Sequence, residues 1–217
     1  MVKKSATQNA YEKIKNMIIN QELLPGQPIV EVNFANKFNM SRTPIRAAIQ
    51  LLQEDGLVEL IPNKGTFVKS FTKNDIILCF EMVEALEGMA TYLAAEKHKS
   101  GNLIKRDLNN LKKLVKKMDE ALEVSNLNDW SKSDEEFHNE ITKLCGNHYI
   151  KDEYVRLRTQ LNCVLWFITP MYIDKRASNQ EHHMILEAIL EKNPDKARQV
   201  AQSHRNRVRK ELMHLLH

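Results

Sequence analysis

Glycine and proline are scarce in this sequence, six of each among 217 residues, less than half the usual share of about 12%. So few breakers predict long helices. Seven of the twelve, Pro25, Gly26, Pro28, Pro44, Gly56, Pro62 and Gly65, fall in the first 65 residues, which predicts a short irregular part to about residue 70 and a long helical part from 71 to 217. Cysteine is scarcer still. Cys79, Cys145 and Cys163 are odd in number and widely spaced, unlike a disulfide framework or a CxxC metal clip, and read as reduced, partly buried thiols. Long apolar runs are missing: the longest, Cys163 to Ile168, is far short of the ~20 residues that span a bilayer. No transmembrane segment and no membrane partner are expected. A strong excess of one charge is also absent, with 32 Lys and Arg against 28 Asp and Glu, a net +4. Residues 1–70 hold 9 basic and 6 acidic side chains, so +3 of that +4 sits in the smaller part. Lys3 and Lys4 have no apolar stretch behind them, so a secretory signal is not expected and the cytoplasm is the expected location.

In the first part, Ile14, Met17 and Ile18 recur at helical spacing between Ala10 and Asn20, and Leu24-Pro25-Gly26-Gln27-Pro28 stops the helix. A second short amphipathic stretch carries Val32, Phe34, Ala35 and Phe38. A third helix opens at Ser41-Arg42-Thr43-Pro44, where Ser41 can cap and Pro44 lies in the first turn. Its apolar stripe is Ile45, Ala48, Ile49 and Leu52, and Gly56 ends it. Leu57 to Ile61 and Thr66 to Val68, joined by Pro62-Asn63-Lys64-Gly65, read as two strands and a basic turn. Three helices and a hairpin predict a winged helix-turn-helix. Arg42, Thr43 and Arg46 lie at the start of the third helix, off its apolar stripe. Helix N-termini suit phosphates and the major groove, and arginine can meet guanine O6 and N7 bidentately. An isolated SRTP would read more simply as a solvated helix start. Here the whole order of helix, turn, helix, SRTPIR helix and hairpin is matched, which points to double-stranded DNA.

Leu24-Pro25-Gly26, Ser41-Arg42-Thr43-Pro44-Ile45-Arg46, Leu51 to Leu57 and Pro62-Asn63-Lys64-Gly65 resemble the GntR family of bacterial winged-helix transcription regulators. The resemblance implies that Ser41, Arg42, Thr43 and Arg46 contact operator bases and phosphates, and that the Lys64-Gly65 tip enters the minor groove. Two positions depart from the family pattern: Val32 stands where a DNA-contacting arginine is common, and Ala47 where an acidic residue is usual.

In the second part, Thr72 and Asp75 make a helix start, and Ile76, Phe80, Val83, Glu87, Ala90 and Ala94 trace one stripe. Further helical patterns at 102–124, 129–145, 148–168, 175–192 and 195–215 complete six helices, an antiparallel bundle. The fold class is therefore mainly α, a winged helix-turn-helix followed by an all-helical bundle. Polar groups interrupt three of its stripes. Asp134 and His138 fall on the face of Trp130, Phe137, Ile141 and Leu144, four residues apart and so side by side. His182 lies with Ile185, Leu186 and Ile189, and His204 with Ala197, Ala201, Val208, Leu212 and Leu215. Singly, each inward histidine reads as a hydrogen-bonded core residue. One Asp and three His on the inward faces of three helices together point to a metal ion, because bundle interiors are where such sites are built. Imidazole-rich ligation suits Zn²⁺, Ni²⁺, Mn²⁺ or Fe²⁺. His183 points about 100° from His182 and is the second choice for that ligand.

Leu86-Glu87 with Leu93-Ala94-Ala95, Asp134-x-x-Phe137-His138, Gly146-Asn147, Glu181-His182 with Ile185, and His204 resemble the FCD ligand-binding domain of FadR-like members of the same family. That resemblance implies Asp134, His138, His182 and His204 as metal ligands, with a small carboxylate effector beside them. An arginine often found three residues before the Leu-Glu pair is Val83 here, and Arg158, four residues after Tyr154, is the substitute candidate for meeting the effector. The expected function is a homodimeric regulator, a repressor, that binds a palindromic operator under the control of a small organic acid. Two alternatives are a metal-dependent hydrolase tethered to DNA and a metal-free regulator responding to an acyl ligand. No nucleophile elbow, HExxH or second convergent acid accompanies the four residues, so no enzymatic activity is expected.

Overall fold

The computed structural model describes residues 5–165 and 174–214. Helix α1 (Ala6–Ile19) is capped by the Ser5 hydroxyl, which accepts from the Gln8 amide at 3.1 Å, and buries Ala10, Ile14, Met17 and Ile18. It starts four residues before the apolar periodicity does, because a cap needs no apolar partner. Helix α2 (Glu31–Phe38) buries Phe34 and Ala35 and ends at Asn39 in the left-handed conformation. Val32, expected on its apolar face, is instead exposed. Helix α3 (Arg42–Glu54) buries Ile45, Ala48, Ile49 and Leu52. Ser41 occupies its N-cap, but the side chain makes no capping hydrogen bond, contrary to expectation.

Strands β1 (Val58–Ile61) and β2 (Gly65–Val68) pair antiparallel, Val58 opposite Val68 and Ile61 opposite Gly65. Asn63 at φ 62° and Gly65 at φ 105° make the turn, and the second value is reserved for glycine. α1 and α2 pack on α3, and α3 on β1. Ile14, Ile45, Leu52 and Leu57 are 1% exposed or less, each such side chain contributing about 1.5–3 kcal/mol of burial.

The helical part comprises α4 (Lys73–Lys99), α5 (Lys105–Glu123), α6 (Leu127–Leu144), α7 (His148–Leu165), α8 (Lys175–Leu190) and α9 (Pro194–Met213). The expected ends at 168 and 215 lie outside the described residues. Thr72 and Asp75 cap α4 reciprocally, the Thr72 amide donating to Asp75 at 2.8 Å and the Asp75 amide to Thr72 at 3.1 Å. Asn126, Asp174 and Asn193 accept from first-turn amides of α6, α8 and α9. α5 packs on α6 and α8, and α8 on α9. Leu111, Met118, Phe137, Ile141, Ile185, Ile189 and Ala201 are central to this core.

The chain divides into two compact units. The first runs to Asp75 and includes α7 from Thr159 onward, whereas the composition placed the division at 70. The end of α7 belongs there because Gln160 donates to the Asp55 carbonyl at 2.7 Å and Cys163 packs against the α1–α3 core.

Candidate functional site

Three helices bring His138, His182 and His204 together in the second unit. Their ring centroids are 4.8 to 5.3 Å apart, and one ligand atom from each lies within 4.8 Å of the other two. All three are 1% exposed or less. Asp134, one turn before His138 on α6, places Oδ1 3.5 Å from His138 Nε2 and 3.3 Å from His182 Nε2, and keeps 18% of its side chain accessible. His183 is exposed and turned away, with Nε2 3.0 Å from Asp119.

Side chains behind the cluster, half-buried at Glu181 and Arg207 and buried at Glu87, Tyr154 and Arg205, fix the rings. The Glu181 carboxylate meets His204 Nδ1 at 2.6 Å, which leaves Nε2 pointing elsewhere. Arg207 Nε and Nη2 grip Glu181 at 2.7 and 2.6 Å and hold it. Glu87 Oε1 lies 2.8 Å from His138 Nδ1, off the line of the ring N–H. Its other oxygen accepts from Arg205 Nε at 2.7 Å and from the Tyr154 hydroxyl at 2.9 Å, and Arg205 Nη2 donates to that hydroxyl at 3.0 Å.

The electrostatics follow from burial and this charge order. Burial pushes the pKa of His182 well below its usual value, with neighbouring His204 adding to the effect. Burial likewise brings His204 down to about 4, against the pull of Glu181. Burial alone would raise the Asp134 carboxyl, but His138, His182 and Arg205 hold it well below the usual carboxylate range. Glu87 behaves in the same way, opposed by Arg205, His138 and His204. The result at neutral pH is neutral imidazole at His182 and His204 beside ionised Asp134.

The Nε2 atoms of His138, His182 and His204 are buried with no hydrogen-bond partner. Each unmet nitrogen costs on the order of 1–3 kcal/mol, so three in one place need a common partner. Converging imidazole nitrogens beside a carboxylate are the donor set of a borderline divalent cation, and the residues fit one.

Sequence reasoning found the histidines and Asp134 but passed over Arg205, Tyr154 and the ring-orienting role of Glu181. Arg205 had a signal: it lies four residues after Ala201 and three before Val208, as inward as His204. Arg158 is half-buried and electrostatically coupled to Tyr154.

In the first unit, Ser41, Arg42, Thr43 and Arg46 at the α3 start and Lys64 and Gly65 at the hairpin tip are all exposed. Glu31, at the start of α2, was not anticipated. Its carboxylate receives Arg46 Nε and Nη2 at 2.8 and 2.9 Å and Arg42 Nη2 at 3.3 Å. The Arg46 contact lowers the Glu31 pKa, so the carboxylate is charged.

Residues 79–207 match the FCD domain, and residues 6–68 match bacterial regulatory proteins of the gntR family. The chain is 28% identical over 212 residues to the uncharacterized HTH-type transcriptional regulator YdhC of Bacillus subtilis (strain 168), covering 95% of this chain and 90% of that protein. It is 21% identical over 197 residues to the HTH-type transcriptional repressor RspR of Escherichia coli (strain K12), covering 91% and 84%. The solved structure of E. coli McbR/YncC superposes with a TM-score of 0.75 at 22% identity, covering 99% of this chain and all of that one, a likeness of fold. A winged helix-turn-helix with SRTPIR at its third helix, followed by an FCD bundle, makes this chain a member of the GntR family of transcriptional regulators.

Proposed function

We propose that the chain is a homodimeric, DNA-binding repressor whose operator affinity is set by a small carboxylate bound beside a divalent metal ion. The observation that carries this reading is the convergence of three unmet Nε2 atoms in the bundle. His138, His182, His204 and Asp134 hold the ion, for which Zn²⁺, Ni²⁺, Mn²⁺ and Fe²⁺ are all suitable. Such an ion supplies a Lewis-acidic position open to a carboxylate oxygen. Glu181 fixes the His204 tautomer and aims its Nε2, as outer carboxylates do for ligating histidines. No enzymatic activity is assigned.

DNA is read by Ser41, Arg42, Thr43 and Arg46, with Lys64 and Gly65 of the wing beside them. Residues up to about 70 do this work and 71–217 take the effector, in the cytoplasm. Dimerisation follows the two-fold logic of helix-turn-helix operators, which are palindromic, and is supported by exposed Leu78, Met82 and Met89 on α4. Repression is supported by the name of the relative RspR. The effector moves the DNA-binding equilibrium only by its difference in affinity for the two conformations.

Elemental analysis of purified wild type, His138→Ala and His204→Ala tests the metal. Close to one equivalent is expected in wild type and loss in both variants. Stoichiometric metal that survives both substitutions would exclude these residues as essential ligands.

A further inference from the structure

Residues 105–117, the opening stretch of α5, hold six basic side chains, Lys105, Arg106, Lys112, Lys113, Lys116 and Lys117, against one acid, Asp107. That is a net +5 within residues 71–217, whose total is only +1. The fold gains nothing from this charge. Lys112 and Lys116, and likewise Lys113 and Lys117, stand four residues apart, and like charges at that spacing weaken a helix. Lys113 and Lys117 line a groove of about 530 Å³ whose other walls are α6 and α7, where Lys143 and Lys151 line it too. None of the histidine-cluster residues is in its lining.

The groove's charges are unevenly matched. Lys143 holds its ammonium 3.1 Å from Glu140, which also accepts from the Asn110 amide at 3.4 Å, so that carboxylate is answered from within. Lys113, Lys117 and Lys151 are exposed, and their side chains make no hydrogen bond or ion pair among the described residues. Glu136 adds a second carboxylate, which leaves the lining a net +2. Leu114 and the 41% exposed Val155 supply apolar surface beside the cations.

We propose that the groove between α5, α6 and α7 binds a small molecule carrying a di- or triphosphate chain, with Lys113, Lys117 and Lys151 sharing the phosphate charge. The proposal is independent of the metal reading above. A lysine ammonium is a point charge with three rotatable donors, which suits tetrahedral phosphate oxygens, whereas planar carboxylates select the flat fork of arginine, and no arginine lines the groove. Three unpaired cations from two helices call for several negative charges on one molecule. The volume is that of a small-ligand site, about 300–1,000 Å³. Duplex DNA fits less well, because Glu136 and Glu140 place carboxylates in the path of a continuous phosphate backbone.

Calorimetric titration of inorganic tripolyphosphate, ATP and orthophosphate tests this. The full chain is first treated with chelator and freed of it, so that polyphosphate stripping a metal ion adds no heat. Tripolyphosphate is expected to bind about tenfold or more tighter than orthophosphate, which meets fewer of the lysines. ATP that binds tighter still points to a nucleotide with its base on Leu114 and Val155, and equal affinity points to the bare chain; either outcome supports the site. Lys113→Gln and Lys151→Gln should each weaken tripolyphosphate by about fivefold, and Glu136→Gln should tighten it by removing a like charge. Lys116→Gln is the control: Lys116 is outside the lining and paired with Glu120 at 3.2 Å, so affinity should not change. Wild type that binds no tripolyphosphate, or Lys116→Gln losing as much as Lys113→Gln, would overturn the proposal. So would poly-glutamate or random duplex losing affinity in Lys113→Gln as steeply as tripolyphosphate does, since the groove would then be a general polyanion surface.

Discussion

At the scale of single residues, Glu31 presents the sharpest contrast between stability and function. Its pairs with Arg42 and Arg46 are on the surface, the arginine side chains being about 60% exposed, and exposed ion pairs contribute about 0–1 kcal/mol. The carboxylate instead fixes where the two guanidiniums point, and on the proposed DNA face it would have to release or share them when DNA arrives. Glu31→Gln removes a negative charge from the expected DNA face. It should tighten binding to a random duplex several-fold and narrow the gap between operator and random DNA, with stability changed by less than about 0.5 kcal/mol. Fluorescence anisotropy against both duplexes at one salt concentration checks this; unchanged affinities for both would remove Glu31 from the DNA face. Arg42 and Arg46 were legible because SRTPIR places them on a helix start in one local stretch. Glu31 was not, because its partners lie 11 and 15 residues away on another helix, a pairing that no helical periodicity encodes. Trp130 shows the same limit: periodicity marked it as core, while its stacking on His182 of α8 depends on how the two helices pack.

At the scale of elements, α4, α7 and α9 are clasped by the Glu87–Tyr154–Arg205 triad. α4 and α9 approach closely at Gly88, where a Cβ would lie 2.5 Å from Gln202 Cγ. Glu87 is fully buried and Arg205 is 3% exposed. Removing one partner of such a pair strands the other, a loss of about 3–5 kcal/mol, whereas replacing both with apolar groups of similar size is often neutral. Arg205→Met should therefore lower the urea midpoint sharply in chelator-treated protein, and Glu87→Met combined with Arg205→Met should recover most of it. Equal destabilisation by the single and double changes would mean that packing volume matters there and charge does not. The helices themselves were legible from the spacing of their apolar residues, and the caps at Thr72, Asn126, Asp174 and Asn193 account for where four of them start. The return of the end of α7 to the first unit was not legible. It depends on Gln160 reaching a backbone carbonyl 105 positions away.

At the scale of the whole molecule, the histidine cluster couples stability to pH. In metal-free protein, the folded-state pKa of His204 is about 4 against an unfolded value of 6.5, and that of His182 is also well below 6.5. The unfolded chain therefore binds more protons than the folded one in this window. Stability is complete above pH 6.5 and falls as pH drops towards 4, each histidine contributing about 1.4 kcal/mol per pH unit once the unfolded form is protonated. From pH 7 to pH 5 His204 alone should remove about 2 kcal/mol, and His182 adds to the loss in the same direction, against the 5–15 kcal/mol typical of a domain. Asp134, Glu87 and Glu181 have folded pKa values below the usual carboxylate range, so their contribution is lost in a separate, more acidic window, below the unfolded value of about 4. On the proposed metal reading, a bound ion would raise the plateau and steepen the fall, because ligation requires the same imidazoles to be deprotonated. Urea unfolding followed by circular dichroism, with and without chelator at half-unit steps from pH 7.5 to 4.5, measures both curves. A chelated protein whose midpoint stays level from pH 7 to 5 would show that His182 and His204 are not held as buried neutral rings in the folded chain.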